Sequence, residues 1–439
     1  MCQIELVCLL YNRIKKLSSV AHCMGVICYM NLKPHVLSGF ISKLLFSGTV
    51  FLVNVLVARV AGATNSGSFF YAVNNLSFLV LISSFSLEAG IVYYSSKEQI
   101  TATDAAAFSI TWALIAALLF SVFMLAIPGF LAGFGNAISV SPFLFLSGNL
   151  LIGFFSGLFF AQKQFGLPQL VAAVGNLPVI FYCTLILMNN RTADLKILVW
   201  IYTGSYLLTG LVLAGLFFKK NRIYQFSLSA FVRSYKLIAR YSWLAFVANI
   251  AAFLMFRVDY WILALYSPRQ VSTADIGNYI QVAKLVQLFL FVPMVFATVI
   301  FPFTASQPAA GNHQQVRKII SRITIMNVSV VGVLWLAGSG PFIFLFGPDF
   351  DKMYFCFLYL APGAIAISNV TVFASYFAGL NKVSLNIAGA VLAFGLITLF
   401  NFLLIPQLGI NGAALADSIG YAAYLLFHVY HFNKTAGRA

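Results

Sequence analysis

The sequence predicts an all-α, polytopic membrane protein of about twelve transmembrane helices, and three observations lead there. Of its 439 residues, 61% are hydrophobic and only 8% charged, with a mean hydropathy of +0.94. A soluble domain carries about 25% charged residues, so this chain cannot cover a surface in water. A soluble enzyme, a disordered protein and a nucleic-acid binder are excluded. Second, the apolar residues come in runs of about 20 or more, the length that crosses the hydrocarbon core as a helix. Third, the chain holds 26 Lys+Arg against 10 Asp+Glu, an excess that membrane proteins collect on cytoplasmic loops.

Residues 1–35 read as a cytoplasmic N-terminal segment. Arg13, Lys15, Lys16, Asn31 and Lys33 interrupt it, and no cleavage site follows a long apolar core. Met30-Asn31-Leu32-Lys33 before an apolar run looks like a start, so translation is expected to begin at Met30; a membrane-surface helix is the rival reading. Twelve apolar segments follow, at about 37–60, 68–96, 106–132, 141–162, 168–189, 196–218, 237–266, 275–304, 318–346, 353–379, 383–405 and 410–432. Turn and polar residues separate them: Gly62 to Ser66, Ser95 to Glu98, Gln162 to Gln164, Asn189 to Arg191, Ser267 to Arg269, and Gly379 to Lys382.

With the N-terminus inside, eighteen Lys and Arg fall on cytoplasmic pieces and five on outer pieces. Both termini are therefore expected in the cytoplasm. The polar stretch 219–236 divides the spans into an N-lobe, 36–218, and a C-lobe, 237–432, followed by a cytoplasmic tail, 433–439. Ser66-Gly67 opening the second span is similar to Ile276-Gly277 opening the eighth, and Gly175 has a counterpart in Gly389. Halves of six spans imply a parallel repeat about an axis along the membrane normal.

Charges at membrane depth are costly and mark candidate function. Three cations lie inside spans: Lys43, Arg257 and Lys284. Asp259 sits about six residues from the outer end of its span, roughly 9 Å deep, and Lys284 about nine residues along the next, roughly 14 Å deep. An Asp259–Lys284 contact is expected, leaving Arg257 for an anion; a structural ion pair is the other reading. Asn74 falls at the repeat position of Lys284, with Asn75 beside it; the two are able to bond a sugar or to pin neighbouring helices. Lys43 either snorkels to the surface or draws an anionic head group inward. Glu88 is a candidate for proton coupling, unless it merely lies near the cytoplasmic interface. Asp417 reads as a packing or interfacial residue.

The remaining motifs carry no chemistry. Asp349-Phe350-Asp351 has a metal-nucleotide form but reads as a solvated turn. His428 and His431 lack a third ligand, no phosphate-binding loop is present, and the six cysteines read as free thiols. No catalytic residue, metal or cofactor is expected.

One stretch resembles a known family. Asn401-Phe-Leu-Leu-Ile-Pro406-Gln-Leu-Gly409-Ile-Asn-Gly412-Ala413-Ala414 is similar to a segment of bacterial polysaccharide flippases, the Wzx-type O-antigen transporters of the superfamily that also holds multidrug antiporters and the lipid II flippase. Val57-Ala58-Arg59-Val-Ala-Gly62, Asp259-Tyr-Trp-Ile-Leu, Ile276-Gly277-Asn-Tyr279 and Leu345-Phe346-Gly347-Pro348-Asp349-Phe350 resemble further segments, and the likeness covers about 36–432. It implies a MATE-like arrangement of two six-helix lobes around a central cavity. It implies a non-enzymatic flippase in the bacterial inner membrane, moving undecaprenyl-pyrophosphate-linked oligosaccharide from the cytoplasmic to the periplasmic leaflet for lipopolysaccharide or related glycans. Alternating access, ion coupling through Asp259 or Glu88, and work beside a polysaccharide polymerase and chain-length regulator belong to that expectation. Arg257, Lys284, Lys43, Asn74 and Asn75 would bind the substrate. The alternatives are a MATE-like multidrug antiporter, which wants an acidic site where this chain leans basic, and a polymerase or ligase, which wants a large outer loop.

Overall fold

The computed structural model describes residues 34–126, 141–189, 193–222, 229–267, 269–306 and 312–436. The expected start at Met30, the end of the third segment, Arg191 and the middle of the linker lie outside them. The described residues are almost wholly helical. The first half holds α1 (Pro34–Ser84), α2 (Leu87–Ser96), α3 (Ala102–Ala126), α4 (Ser141–Ala161), α5 (Gly166–Gly175), α6 (Leu177–Met188) and α7 (Leu195–Asn221). The second holds α8 (Ser229–Leu265), α9 (Thr273–Phe289), α10 (Phe291–Ser306), α11 (Asn312–Ala337), α12 (Gly340–Phe346), α13 (Met353–Gly379), α14 (Val383–Leu408) and α15 (Ile410–Ala436).

Ten stretches among the described residues are long and apolar enough to cross a membrane. The first, Ile41–Ser84, has 44 residues, about 66 Å at 1.5 Å per residue, twice the hydrocarbon thickness of about 30 Å. Gly62 divides it with φ 72° and ψ 172°, a backbone shape that glycine adopts without penalty, so this stretch supplies the first two segments. Helix α15 has crossing length at 27 residues but carries Asn411, Asp417 and two histidines. The count of twelve is thus recovered.

Four segments expected as continuous helices are broken. The second breaks at Phe85 and Ser86, both with positive φ, where the Ser86 N–H turns to Ser84 Oγ at 3.1 Å. The fifth breaks at Asn176, the eighth at Leu290 and the ninth at Gly338-Ser339. Pro178, Pro293 and Pro341 follow these breaks and remove a helical N–H each.

Alternate helix ends gather on two faces. On one, Ala193 N–H bonds Val60 O at 3.3 Å, Arg59 Nη1 donates to Phe344 O at 2.7 Å, and Asn278 Nδ2 donates to Asp349 O at 3.1 Å. On the other, Lys220 Nζ reaches Gln162 Oε1 at 2.8 Å, Tyr93 stacks on Tyr241 at 4.2 Å, and Arg317 Nη2 reaches Asn433 Oδ1 at 3.0 Å. These are the ends assigned above to outside and cytoplasm.

Each half has its own packing: α4 on α7 and α3 in the first, α15 on α13 and α14 in the second. One pattern recurs. Gly148 of α4 lies against the backbone of Tyr206 and Leu207 in α7, and Gly363 of α13 against Ser418 in α15. Gly175 receives Thr209 of α7, and Gly389 receives Tyr424 of α15. Small residues let helices approach in lipid, where van der Waals contact rather than water drives association. Helix α8 packs on α14 and also on α2 and α3, while α9 packs on α13 and on α1. Those two helices join the halves.

Candidate functional site

The C-terminal half of α8 presents Arg257, Asp259, Tyr260 and Trp261. Asp259 is buried, and Tyr279 of α9 donates its hydroxyl to Asp259 Oδ2. The same hydroxyl lies 2.7 Å from Oδ2 of Asp417, a buried residue of α15. One O–H supplies one proton. Satisfying both oxygens therefore takes a second proton on one of the acids, accepted by the phenol oxygen. The Oδ1 atoms of both acids have no partner among the described residues. Three helices from one half thus enclose a buried pair of carboxyl groups around a shared hydroxyl.

Asp417 was read above as a packing or interfacial residue, and Tyr279 was not singled out. Depth would have found both. Asp259 lies six residues from the C-terminal end of α8, Tyr279 six from the start of α9, and Asp417 seven from the start of α15, all about 9–10 Å from those ends at 1.5 Å per residue.

The expected Asp259–Lys284 contact does not form. Lys284 Nζ instead donates to Asn54 Oδ1 at 2.9 Å and lies 2.8 Å from the centroid of the Phe70 ring, both on α1. Tyr279 and Lys284 are five residues apart, so they project about 140° apart on α9. With Tyr279 turned to Asp259, Lys284 faces the other half. Arg257 Nη1 donates to Tyr260 Oη at 2.5 Å, with Cζ 5.0 Å from that ring centroid, a cation–π placement. It remains half-buried and carries no carboxylate partner: the ion pair between described residues is Lys352–Asp275 at 2.6 Å, at the outer face.

Around Lys284 the two halves meet through amides. Trp261 Nε1 donates to Asn75 Oδ1 at 2.7 Å. Asn74 is buried and its Nδ2 lacks a partner. Gln281, one turn before Lys284 on the same face, is buried with neither polar end bonded. The sequence reading missed Gln281; its i, i+3 spacing from Lys284 was the available signal. Above this seam the contact is closed by glycine against glycine. A Cβ on Gly67 would lie 2.6 Å from Thr273 O and 2.8 Å from Gly277 N, so only hydrogen fits.

The other candidates lie apart. Lys43 is exposed on α1, eleven residues, about 16 Å of helix, from Asn54 toward the basic face. Glu88 is half-buried in the first turn of α2, near Gly157 of α4, and does not join the acid pair. Asp349 and Asp351 are exposed. No group of three His, Cys, Asp or Glu suited to a metal occurs among the described residues. His428 is buried between Asn386 Oδ1 at 3.0 Å and Tyr424 O at 3.2 Å. Cys183 and Cys356 are buried free thiols.

No family model matches the sequence. The solved structure of the lipid II flippase MurJ in its inward closed conformation superposes with a TM-score of 0.70 at 14% identity, over 92% of this chain and 89% of that one. An outward-facing MATE multidrug resistance transporter gives 0.62 at 14%, over 92% and 97%. The chain has the MurJ and MATE transporter fold. Sequence relatives agree with that fold: the lipid II flippase MurJ of Bacillus subtilis (strain 168), 27% identical over 178 residues, and a probable low-salt glycan biosynthesis flippase, Agl15, of Haloferax volcanii, 22% over 199. These matches take in 38% and 44% of this chain, and 32% and 41% of the relatives, so the chain spans well under half the length of the curated relatives it matches. The protein is a multi-pass membrane protein with lipid II and glycan flippases among its relatives.

Proposed function

We propose that this chain is a flippase that carries an undecaprenyl-pyrophosphate-linked oligosaccharide, an O-antigen unit or related polysaccharide precursor, from the cytoplasmic to the periplasmic leaflet of a bacterial inner membrane. The observation that carries this reading is the seam between the halves, where Lys284, Asn54, Asn74, Asn75 and Gln281 lie at membrane depth, Asn74 Nδ2 and both polar ends of Gln281 have no partner among the described residues, and Arg257 stands nearby on α8 without a carboxylate. A pyrophosphate requires cations in a dry setting, and the Arg fork suits phosphate oxygens. Buried amides suit sugar hydroxyls. Lys43 serves the cytoplasmic entrance. The lobes 36–218 and 237–432 rock about the 219–236 linker, and the isoprenoid tail stays in the bilayer.

Ion coupling is assigned to Asp259 with Asp417 and Tyr279 rather than to Glu88, because two acids and one hydroxyl exchange a proton without leaving an isolated charge. The same cluster favours a second reading, an ion-coupled multidrug antiporter. The glycan flippase among the relatives and the cations at the seam weigh toward the flippase. Deleting the gene and identifying the lipid-linked species that accumulates tests the proposal: an undecaprenyl-pyrophosphate oligosaccharide on the cytoplasmic leaflet supports it, and unchanged lipid-linked glycan with increased drug sensitivity contradicts it.

A further inference from the structure

Two histidines are buried in the second half, His313 of α11 and His428 of α15, and their surroundings make different demands. His313 Nε2 lies 2.8 Å from the Tyr376 hydroxyl, which either donates or accepts, so a neutral ring suits it. His428 has no such latitude. Its Nδ1 lies 3.2 Å from the Tyr424 carbonyl oxygen, and its Nε2 lies 3.0 Å from Asn386 Oδ1 on α14. Both partners are acceptors. The Asn386 amide is held in this sense, because its Nδ2 donates to Ala374 O at 2.9 Å. Tyr424 Oη fixes the same residue by donating to Asn386 O at 2.8 Å. A neutral imidazole donates from one nitrogen and sets the other lone pair against an oxygen; an imidazolium donates from both.

The walls of the pocket are aromatic. Phe377 of α13 and Tyr424 stand 5.2 and 4.7 Å from the imidazole, ring to ring, within cation–π range. His428 is wholly buried, so a second proton is held by the two oxygens and these rings. No acid faces it: α10, α11, α13 and α14 contain no Asp or Glu, and α15 contains only Asp417, eleven residues or about 16 Å away. Asp259 of α8 lies beside Asp417, and Asp275 begins α9 at the opposite end of the molecule. The titratable and charged groups at this end are His431 and Lys434 on α15, Tyr376 on α13, Lys382 ahead of α14, and His313 and Arg317 on α11.

We propose that His428 is a proton-binding site, separate from the Asp259–Asp417 pair, and that the bound proton clasps α15 to α14 through Asn386. Linkage makes the two statements one: whatever Asn386 adds to the affinity for the proton, the proton adds to the contact between the helices. The site rests on the geometry of these two helices and is independent of what the protein transports.

The test is nuclear magnetic resonance of the purified full-length protein in lipid nanodiscs, with its five histidines labelled with nitrogen-15. His428→Gln identifies the His428 signals by their loss. From about pH 8 to about pH 4, a range that spans ordinary imidazole titration, His428 is expected to pass from one protonated ring nitrogen to two. Asn386→Leu should weaken proton binding roughly tenfold, the difference between a charged and a neutral hydrogen bond. Asn386→Asp keeps an acceptor oxygen and adds a negative charge, so it should tighten binding by at least as much. His313 should titrate alike in all three proteins. A His428 ring that keeps one unprotonated nitrogen throughout, in the native chain and in Asn386→Asp, overturns the proposal. So does a His428 titration that neither Asn386 variant moves.

Discussion

At the residue scale the account rests on Arg257 and on the acid pair. A guanidinium keeps its charge when buried, so its environment must supply acceptors, and among the described residues Tyr260 does so. Arg257→Ala should abolish surface glycan while membrane level stays normal. Arg257→Lys should restore only part, since a point charge replaces a bidentate donor; surface glycan and membrane protein measured together check both. For coupling, Asp259→Asn or Asp417→Asn in vesicles should leave substrate binding intact and make transport insensitive to the ion gradient, while Glu88→Gln keeps the native dependence. Gradient-dependent transport by both Asp variants would remove the pair from the mechanism. Asp259 was legible because a charge in an apolar run stands out. Its partners were not, because Asp417 lies 158 positions away on a helix whose first turns are rich in small residues.

At the element scale, the Gly67–Gly277 crossing closes α1 against α9. The repeat expected from the sequence pairs these two glycines, and here they lie against each other. Arg59 on Phe344 O reinforces the closure from the first half. Within the second half, Asp275 holds the Lys352 ammonium above its ordinary range through a direct hydrogen bond and ties the loop between α12 and α13 to the start of α9. Gly277→Leu should push α1 and α9 apart and expose the seam to the outside. Labelling of Asn74→Cys by an impermeant thiol reagent applied to intact cells should then rise several-fold over the Gly277 parent, and unchanged labelling would place the closure elsewhere. Helix breaks were only partly legible. Pro178, Pro293 and Pro341 each signal a missing N–H, yet apolar runs are read by length, and length does not register a break inside lipid-facing sequence.

At the scale of the whole molecule, the all-helical membrane fold was legible, because lipid demands long apolar helices and small residues where they touch. The seam was not, since it forms only when α8 and α9 bring distant segments together. Reporter fusions should place Lys220 and Arg317 in the cytoplasm and Arg191 and Arg269 outside; reversed signals would overturn the orientation. The most direct measurement is flipping itself. The purified protein is reconstituted in vesicles with a fluorescent undecaprenyl-pyrophosphate oligosaccharide, and an external quencher reports which leaflet holds the glycan. An imposed ion gradient should move the glycan between leaflets in vesicles with the native chain and not in those with Arg257→Ala. Equal movement in protein-free vesicles, or none with the native chain, would contradict the account.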